Sequence, residues 1–102
     1  MTIRLIRRGN RGELVLIGRL DSLTAQETED IFMQQAERFD DIVLNMEQME
    51  YISSAGLRVL KKLHMAIRQK NGTLTLKNVN KMVMEVFEMT GFAGLFRFSS
   101  TL

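Results

Sequence analysis

The chain contains no cysteine and no proline, and it has no long hydrophobic run. The absence of cysteine excludes disulfides, thiolate metal ligands and a thiol nucleophile. No run approaches the roughly 18 apolar residues that a membrane span requires. Residues 1–8 also lack a long apolar segment after their charges. We therefore expect a protein without direct membrane insertion, most simply a cytoplasmic one, whose stability depends on core packing alone.

Aromatic residues are also scarce, and neither sign of charge dominates. Aromatic residues make up 7% of the chain, and 14 Lys and Arg against 12 Asp and Glu give a formal net charge of +2. The basic residues are not interleaved with aromatic stacking platforms, and no helix-turn-helix signature is present, so nucleic-acid binding is not expected. With 102 residues, 45% of them hydrophobic, the chain is predicted to form a single domain over residues 1–102.

The hydrophobic pattern predicts alternating strands and helices. The predicted strands cover residues 3–6, 14–17, 42–46 and 73–76. The first predicted helix starts at a capping box over residues 24–27 and ends near Asp40. The second runs from the serines at 53 and 54 to Asn71-Gly72, and the third covers residues 81–90 with Gly91 as its C-cap. Strands separated by helices are expected to be parallel, so the predicted fold is a small α/β domain with a mixed, mostly parallel sheet of four to five strands and helices packed on it.

Two adjacent serines lie where an apolar strand is predicted to lead into the second helix. Either Ser53 or Ser54 is expected to be the N-cap of that helix, accepting a hydrogen bond from a first-turn amide. The same amides and the positive end of the helix dipole could receive a phosphate, and Gly56 allows other groups to approach the backbone closely. The two serines indicate either a simple helix cap or a place where a phosphate is bound or attached.

Enzymatic chemistry has little support in the sequence. The single histidine, His64, lies ten residues after Ser54, about 15 Å along a helix, and cannot serve that serine as a base within the helix. It is interpreted as a surface or boundary residue. Glu47 and Glu50 are interpreted as a solvated loop, and neither a nucleophile elbow nor a phosphate-binding glycine loop is present. We expect neither an enzyme nor a bound cofactor.

Asp21 and the methionines each allow two interpretations. Asp21 ends the second strand, and ligand sites in α/β sheets gather where strands lead into their C-terminal loops, which is also where the serines lie. Helix entry is the alternative role for this carboxylate. Methionine fills cores but also serves adaptable partner surfaces. The methionines interpreted mainly as core residues are Met46, Met49, Met82, Met84 and Met89.

Together these segments resemble the STAS domain family, named for sulfate transporters and anti-sigma factor antagonists, over nearly the whole chain. The segments that carry the resemblance are residues 18–21 (Gly-Arg-Leu-Asp), 42–45 (Ile-Val-Leu-Asn), 51–57 (Tyr-Ile-Ser-Ser-Ala-Gly-Leu) and 90–92 (Thr-Gly-Phe) with Leu95-Phe96. In the stand-alone antagonists the loop typically reads Asp-Ser-Ser-Gly or Asp-Ser-Thr-Gly, and the serine after the aspartate is phosphorylated. Aligned on Gly56, that serine is Ser54, with Ser53 in place of the aspartate and Ala55 in place of the second hydroxyl.

The resemblance implies partner switching. The unphosphorylated protein would bind an anti-sigma factor that is also a serine kinase, which brings ATP and magnesium, and would release the sigma factor. Phosphorylation of Ser54 would block that binding, and a serine phosphatase would reverse it. Asp21, Ser53 and Gly56 would support the loop. Candidates for the rim of the docking face are Arg58, Lys61 and Lys62. The alternatives are a STAS docking subunit of a transporter, such as a lipid ABC transporter, without a phosphate cycle, and a nucleotide- or lipid-binding module.

Overall fold

The computed structural model describes residues 1–99, which form six strands, three α-helices and one short 3₁₀ turn. The strands are β1 (Thr2–Arg8), β2 (Arg11–Leu20), β3 (Asp41–Asn45), β4 (Met49–Ile52), β5 (Thr73–Lys77) and β6 (Arg97–Ser99). The helices are α1 (Ala25–Arg38), α2 (Ser54–Gln69) and α3 (Lys81–Thr90), and the 3₁₀ turn covers Phe92–Gly94.

The sheet is mixed and mostly parallel, which confirms the predicted fold class. Its order is β1-β2-β3-β5-β6, with β1 antiparallel to β2 and the other pairs parallel. The long strand β2 pairs with β3 over its first half and with β4 over its second half, and the register shifts between Gly18 and Arg19. This split places the end of β2 beside the end of β4. The Asp21 loop, residues 21–24, follows β2 there, and the serine loop, residues 53–56, follows β4.

The core lies between one face of the sheet and the helices. Side chains alternate across a strand, so every second residue of β2, β3 and β5 faces the helices. These are mainly leucines, including Leu14, Leu44 and Leu76, all at most 1% exposed. Helix α2 contributes residues at spacings of three and four. Its buried apolar side chains are Leu57, Val59, Leu60, Leu63 and Ile67.

A buried charge network lies on the other face of the sheet. Glu13, on β2, is 5% exposed, and its carboxylate accepts a hydrogen bond from Nδ2 of Asn45 at 3.1 Å. Lys77, two strands away on β5, places its Nζ 3.3 Å from the same carboxylate oxygen. A buried carboxylate without such partners would be strongly destabilising, so β2, β3 and β5 are linked by charge as well as by backbone hydrogen bonds.

Strands β4 and β6 were not predicted. They have four and three residues, and β4 reads buried, exposed, exposed, buried, so neither shows the alternation that identifies a strand. Glu50, interpreted from the sequence as part of a solvated loop, lies within β4, whereas Glu47 precedes the strand and is exposed.

The predicted helix ends differ from the structure in three places. Thr24 precedes α1, but its side chain makes no capping bond, so the predicted capping box is wrong. Its hydroxyl donates instead to the backbone oxygen of Arg19. Helix α1 ends at Arg38 because Phe39 is extended. Helix α2 ends at Gln69, before the predicted Asn71-Gly72. Asn71 has a positive φ of 60°, and Gly72 lies so close to the backbone oxygen of Asp40 that a side chain would not fit there.

The core assignment of the methionines holds in part. Met46 and Met49 are 0% and 2% exposed, as expected for core residues, and Met84 is partly buried against the core. Met82 and Met89 are 49% and 86% exposed, so the assignment is wrong for these two. Helix α3 buries only Val83 and Phe87 and packs mainly against β4 and the 3₁₀ turn.

Candidate functional site

The loops after β2 and β4 leave the sheet side by side. The two strands are parallel there, with Leu20 paired to Ile52, and the amide of Ser53 donates to the backbone oxygen of Leu20 at 3.0 Å. Asp21 and Ser53 are therefore the first residues beyond the same sheet edge. The structure brings the carboxylate and the serine loop together at the sheet edge where both were expected.

The two serines have different surroundings. Ser53 has extended backbone angles, and its Oγ accepts a hydrogen bond from the amide of Gly56 at 3.5 Å, which makes it the N-cap of α2. Ser54 is the first residue of the helix and is exposed, and within residues 1–99 its hydroxyl has no hydrogen-bond partner. The sequence left open which serine caps the helix. The structure assigns the cap to Ser53 and leaves the hydroxyl of Ser54 in solvent.

Gly56 is required by close packing. A Cβ at this position would lie 2.7 Å from the backbone oxygen of Leu20 and 2.8 Å from Cγ1 of Ile52. Such distances essentially never occur, so the first turn of α2 can rest on the end of β2 only because residue 56 has no side chain. The glycine therefore sets the distance between the serine loop and the Asp21 loop.

The carboxylate of Asp21 closes its own loop. Oδ1 accepts hydrogen bonds from the amides of Leu23 at 3.0 Å and Thr24 at 3.3 Å. These amide bonds, that of Leu23 first, and the guanidinium of Arg19 hold the pKa of Asp21 below its ordinary value. The hydroxyl of Thr24 completes the loop, because it accepts from the amide of Asp21 at 3.0 Å. Asp21 is thus engaged at the entry to α1, in agreement with the alternative interpretation of this residue.

The three basic candidates on α2 are all exposed but not equivalent. Lys62 turns toward α1, where its Nζ lies 2.9 Å from Oε1 of Glu29. Arg58 and Lys61 form no ion pair with any residue in the described part of the chain. They follow Ser54 by four and seven residues, so the three side chains lie on one stripe of the helix. This stripe carries two uncompensated positive charges beside the exposed hydroxyl.

His64 lies at the boundary of the core, well away from Ser54. Its ring stands edge-on to Phe96 with centroids 5.7 Å apart, and among residues 1–99 its buried Nε2 has no hydrogen-bond partner. Burial, and then the charge of Arg68, lower the pKa of this histidine. Within the same residues, no group of three or more His, Asp or Glu side chains is placed to hold a metal ion.

The sequence did not single out Leu23, which lies between the two polar residues that close the Asp21 loop. Its side chain is 92% exposed. In the sequence, only the presence of a leucine in an otherwise polar turn, Asp-Ser-Leu-Thr, could have indicated that this residue is exposed for a purpose. Beside the same loop, the guanidinium of Arg19 stacks on the ring of Tyr51 at 4.5 Å from its centroid.

Sequence comparisons give the chain a family and a named relative. The model of the STAS domain family matches residues 3–102. BtrV of Bordetella bronchiseptica, whose name describes it as an anti-sigma factor antagonist, is 37% identical to this chain over 82 residues. The aligned part covers 79% of this chain and 71% of BtrV.

Solved structures share the fold. A protein of Thermotoga maritima, named as an anti-sigma factor antagonist, superposes with a TM-score of 0.91 at 18% identity, covering 98% of this chain and 87% of the other. The phosphorylated form of SpoIIAA, a Bacillus cell fate determinant, superposes with a TM-score of 0.75 at 16% identity, covering 98% and 93%. Across residues 1–99 the helices are all too short or too polar to cross a membrane.

Proposed function

The chain belongs to the STAS domain family, and we propose that it acts as an anti-sigma factor antagonist with Ser54 as its phosphoacceptor. In its unphosphorylated form the protein binds an anti-sigma factor that is also a serine kinase, and the sigma factor is released. Phosphorylation of Ser54 blocks this binding, and a serine phosphatase restores it. The name of BtrV and the phosphorylated form of SpoIIAA support this role. The protein is then a cytoplasmic regulator and a substrate, not an enzyme, and the kinase supplies ATP and magnesium.

The observation that carries the proposal is that the two serines have different roles: one caps the helix and the other is exposed to solvent. A kinase needs a hydroxyl that it can reach and that is not already committed to the fold. Ser53 is partly buried and caps the helix, whereas Ser54 is exposed and, within the described residues, makes no hydrogen bond. Ser54 therefore has no structural role that a phosphate would destroy.

The position of Ser54 also suits a phosphate. The first amides of a helix have no partner within the helix, and the dipole there is positive, so negative charge is stabilised by about 0.3–1 kcal/mol. Typical stand-alone antagonists have an aspartate where this chain has Ser53. Aspartate and serine are both good N-caps, so this substitution preserves the helix start. The domain can accept the modification with little internal change.

The effect on a partner is much larger. A phosphoserine adds about −1.5 to −2 charges at neutral pH. Facing an acidic or apolar partner surface, those charges have to be desolvated or repelled. A loss of only ~3 kcal/mol of binding free energy weakens a complex roughly a hundredfold, enough to change which partner is bound.

The proposal is tested by capture from native lysate with three baits: wild type, Ser54→Ala and Ser54→Glu. Bound proteins and the phosphorylation site are identified by mass spectrometry. We expect a small ATP-binding kinase to be retained by wild type and Ser54→Ala and lost with Ser54→Glu. Phosphate should appear on Ser54 of the wild type after incubation with that kinase and ATP.

Ser53→Ala is the matched control, because it removes a neighbouring hydroxyl and leaves Ser54 in place. It should cost about 1 kcal/mol of stability through loss of the cap, yet still be phosphorylated. Phosphate on residue 53 instead of 54 would contradict the assignment. Recovery of a membrane transporter subunit by all three baits equally would replace the switch with a fixed docking role.

A further inference from the structure

We infer that Leu23 is the apolar anchor of the docking surface, that the kinase receives it in an apolar pocket, and that acidic side chains of the kinase face Arg58 and Lys61. The docking surface consists of Leu23, Ser54, Arg58 and Lys61. This inference rests on the proposed function and adds to it the chemistry that the partner must present.

Leu23 is held in an exposed position by its own loop. A large apolar side chain at 92% exposure is unfavourable in water, and a flexible turn could fold it back onto the protein. This turn is fixed, because Oδ1 of Asp21 accepts from the amide of Leu23 itself and from that of Thr24. The hydroxyl of Thr24 also binds the backbone oxygen of Arg19 at 2.9 Å. A side chain carried on a fixed backbone loses less conformational freedom on binding than one on a mobile loop, as expected for an anchor of an interface.

The anchor and the phosphoacceptor belong to one surface. The loop that carries Leu23 and the loop that carries Ser54 start from the paired strand ends joined by the bond from Ser53 to Leu20. Helices α1 and α2, which follow these loops, pack side by side, and the ion pair of Lys62 with Glu29 joins their exposed sides. A partner that covers Ser54 therefore meets the Asp21 loop as well.

The free charge on this surface is positive. Arg19 and Lys62 are compensated by Asp21 and Glu29. Arg58 and Lys61, on the helix stripe that begins at Ser54, have no such compensation within residues 1–99. The complementary partner surface is therefore acidic where it faces Arg58 and Lys61 on α2, whereas the exposed Glu27 in the first turn of α1 gives it no reason to be acidic beside Leu23.

This arrangement explains why one phosphate would be enough to separate the proteins. A phosphate on Ser54 would stand at the head of the basic stripe, one helical turn from Arg58, and would neutralise it. The same phosphate would oppose the acidic side chains of the partner. A second copy of this chain is a poor occupant, because pairing identical surfaces would place Arg58 and Lys61 against the same charges.

The test measures the affinity of the purified chain for the kinase that Ser54→Ala recovers from lysate, by isothermal titration calorimetry. Leu23→Ser should weaken binding roughly 10- to 100-fold, as expected for losing the burial of one leucine, while Leu23→Met should stay within a few-fold of wild type. Lys61→Glu should weaken binding most at low salt, because the new carboxylate would face the acidic side chains of the partner. Thermal unfolding checks that each variant is folded.

Met89→Ser is the matched control for Leu23→Ser. Met89 is an apolar side chain of similar exposure, 86%, in the last turn of α3, outside the docking surface. Its replacement should leave the affinity unchanged. Equal affinities for wild type and Leu23→Ser, an equal loss with Met89→Ser, or tighter binding by Lys61→Glu would overturn the inference while leaving the phosphate switch intact. If neither wild type nor Ser54→Ala recovers a kinase, the proposed function fails, and this inference fails with it.

Discussion

The two ends of α2 are packed in the same way and differ in what they leave exposed. At the N-terminal end Gly56 lies against the backbone oxygen of Leu20, and at the C-terminal end Gly72 lies against that of Asp40. In both places a side chain would push the helix away from its neighbour. Close approach of the backbone is therefore common to both ends and says nothing by itself about function.

The polar groups show the difference. At the C-terminal end, Lys70 forms an ion pair with Asp40 at 3.0 Å and donates to the backbone oxygens of Ala36 and Phe39. All of these partners belong to the domain. At the N-terminal end, the hydroxyl of Ser54 faces solvent and has no partner among residues 1–99. We conclude that the C-terminal end serves the fold, whereas the N-terminal end is available to another molecule.

The largest expected effect comes from filling the two glycine contacts. Gly72→Ala and Gly56→Ala should each lower the free energy of unfolding, by about 3 and about 2 kcal/mol respectively, because each Cβ would overlap backbone that cannot easily move. The smaller loss is expected for Gly56, which lies within a helix, where alanine regains up to ~1 kcal/mol of helix propensity. Urea denaturation followed by circular dichroism measures both.

Gly94→Ala is the control, because no atom lies within 4 Å of the added Cβ. It should change stability by less than about 0.5 kcal/mol. If Gly72→Ala were as stable as Gly94→Ala, the close approach at the C-terminal end of α2 would not be a structural requirement.

Replacing Lys70 should lower the free energy of unfolding by less than filling the glycine contacts does. Lys70→Met keeps the length of the side chain but removes the ion pair with Asp40 and the bonds to the backbone oxygens of Ala36 and Phe39, for a loss of about 1 kcal/mol. Lys61→Met, on the exposed stripe of the same helix, should be neutral in the same denaturation experiment. If Lys61→Met lowered the free energy of unfolding more than Lys70→Met does, the C-terminal end of α2 would not be the end that serves the fold.

The pH dependence of stability should differ between His64, on the buried side of α2, and Asp21, beside its exposed N-terminal end. His64 has a lowered pKa, so below about pH 6.5, its ordinary pKa, the unfolded chain binds more protons than the folded one. Its contribution is complete above that pH and is lost as pH falls through the folded pKa. Wild type should lose stability relative to His64→Phe as pH falls below about 6.5. The imidazole NMR signal of this single histidine should titrate with a midpoint below 6.5, and a midpoint above 6.5 would refute the expectation.

Asp21, beside the exposed end, should respond at lower pH. Its pKa is lowered chiefly by the amide bond of Leu23, so its contribution is present above the ordinary aspartate pKa, near 4, and is lost as pH falls through the folded value. The stability difference between wild type and Asp21→Asn should therefore shrink below about pH 4. A difference that stays constant down to pH 2.5 would mean that the carboxylate does not hold the loop.

Much of the fold could be predicted from periodicity, but the site could be predicted only in part. The helix over residues 81–90 and its left-handed cap at Gly91 agree with the structure, because both depend on local sequence. Strand β4 was missed because Glu50 and Tyr51 are both exposed, and it is defined by pairing with β2 rather than by its own pattern. Ser53 and Ser54 are equally good caps by sequence, so only backbone geometry could distinguish them.

The buried network of Glu13, Asn45 and Lys77 has a consequence for strand alignment. Successive residues of a strand point to opposite faces, so a one-residue slip of β5 would turn Lys77 toward the helices and leave Glu13 with only the longer ion pair to Arg8, at 4.0 Å. The same slip would replace Leu74 and Leu76 on the core side with the smaller, polar Thr73 and Thr75. The apolar pattern and the charge network therefore oppose the same misalignment. A pair of residues 64 positions apart in the chain thus helps to fix the strand register that places the two loops together at the carboxyl edge of the sheet.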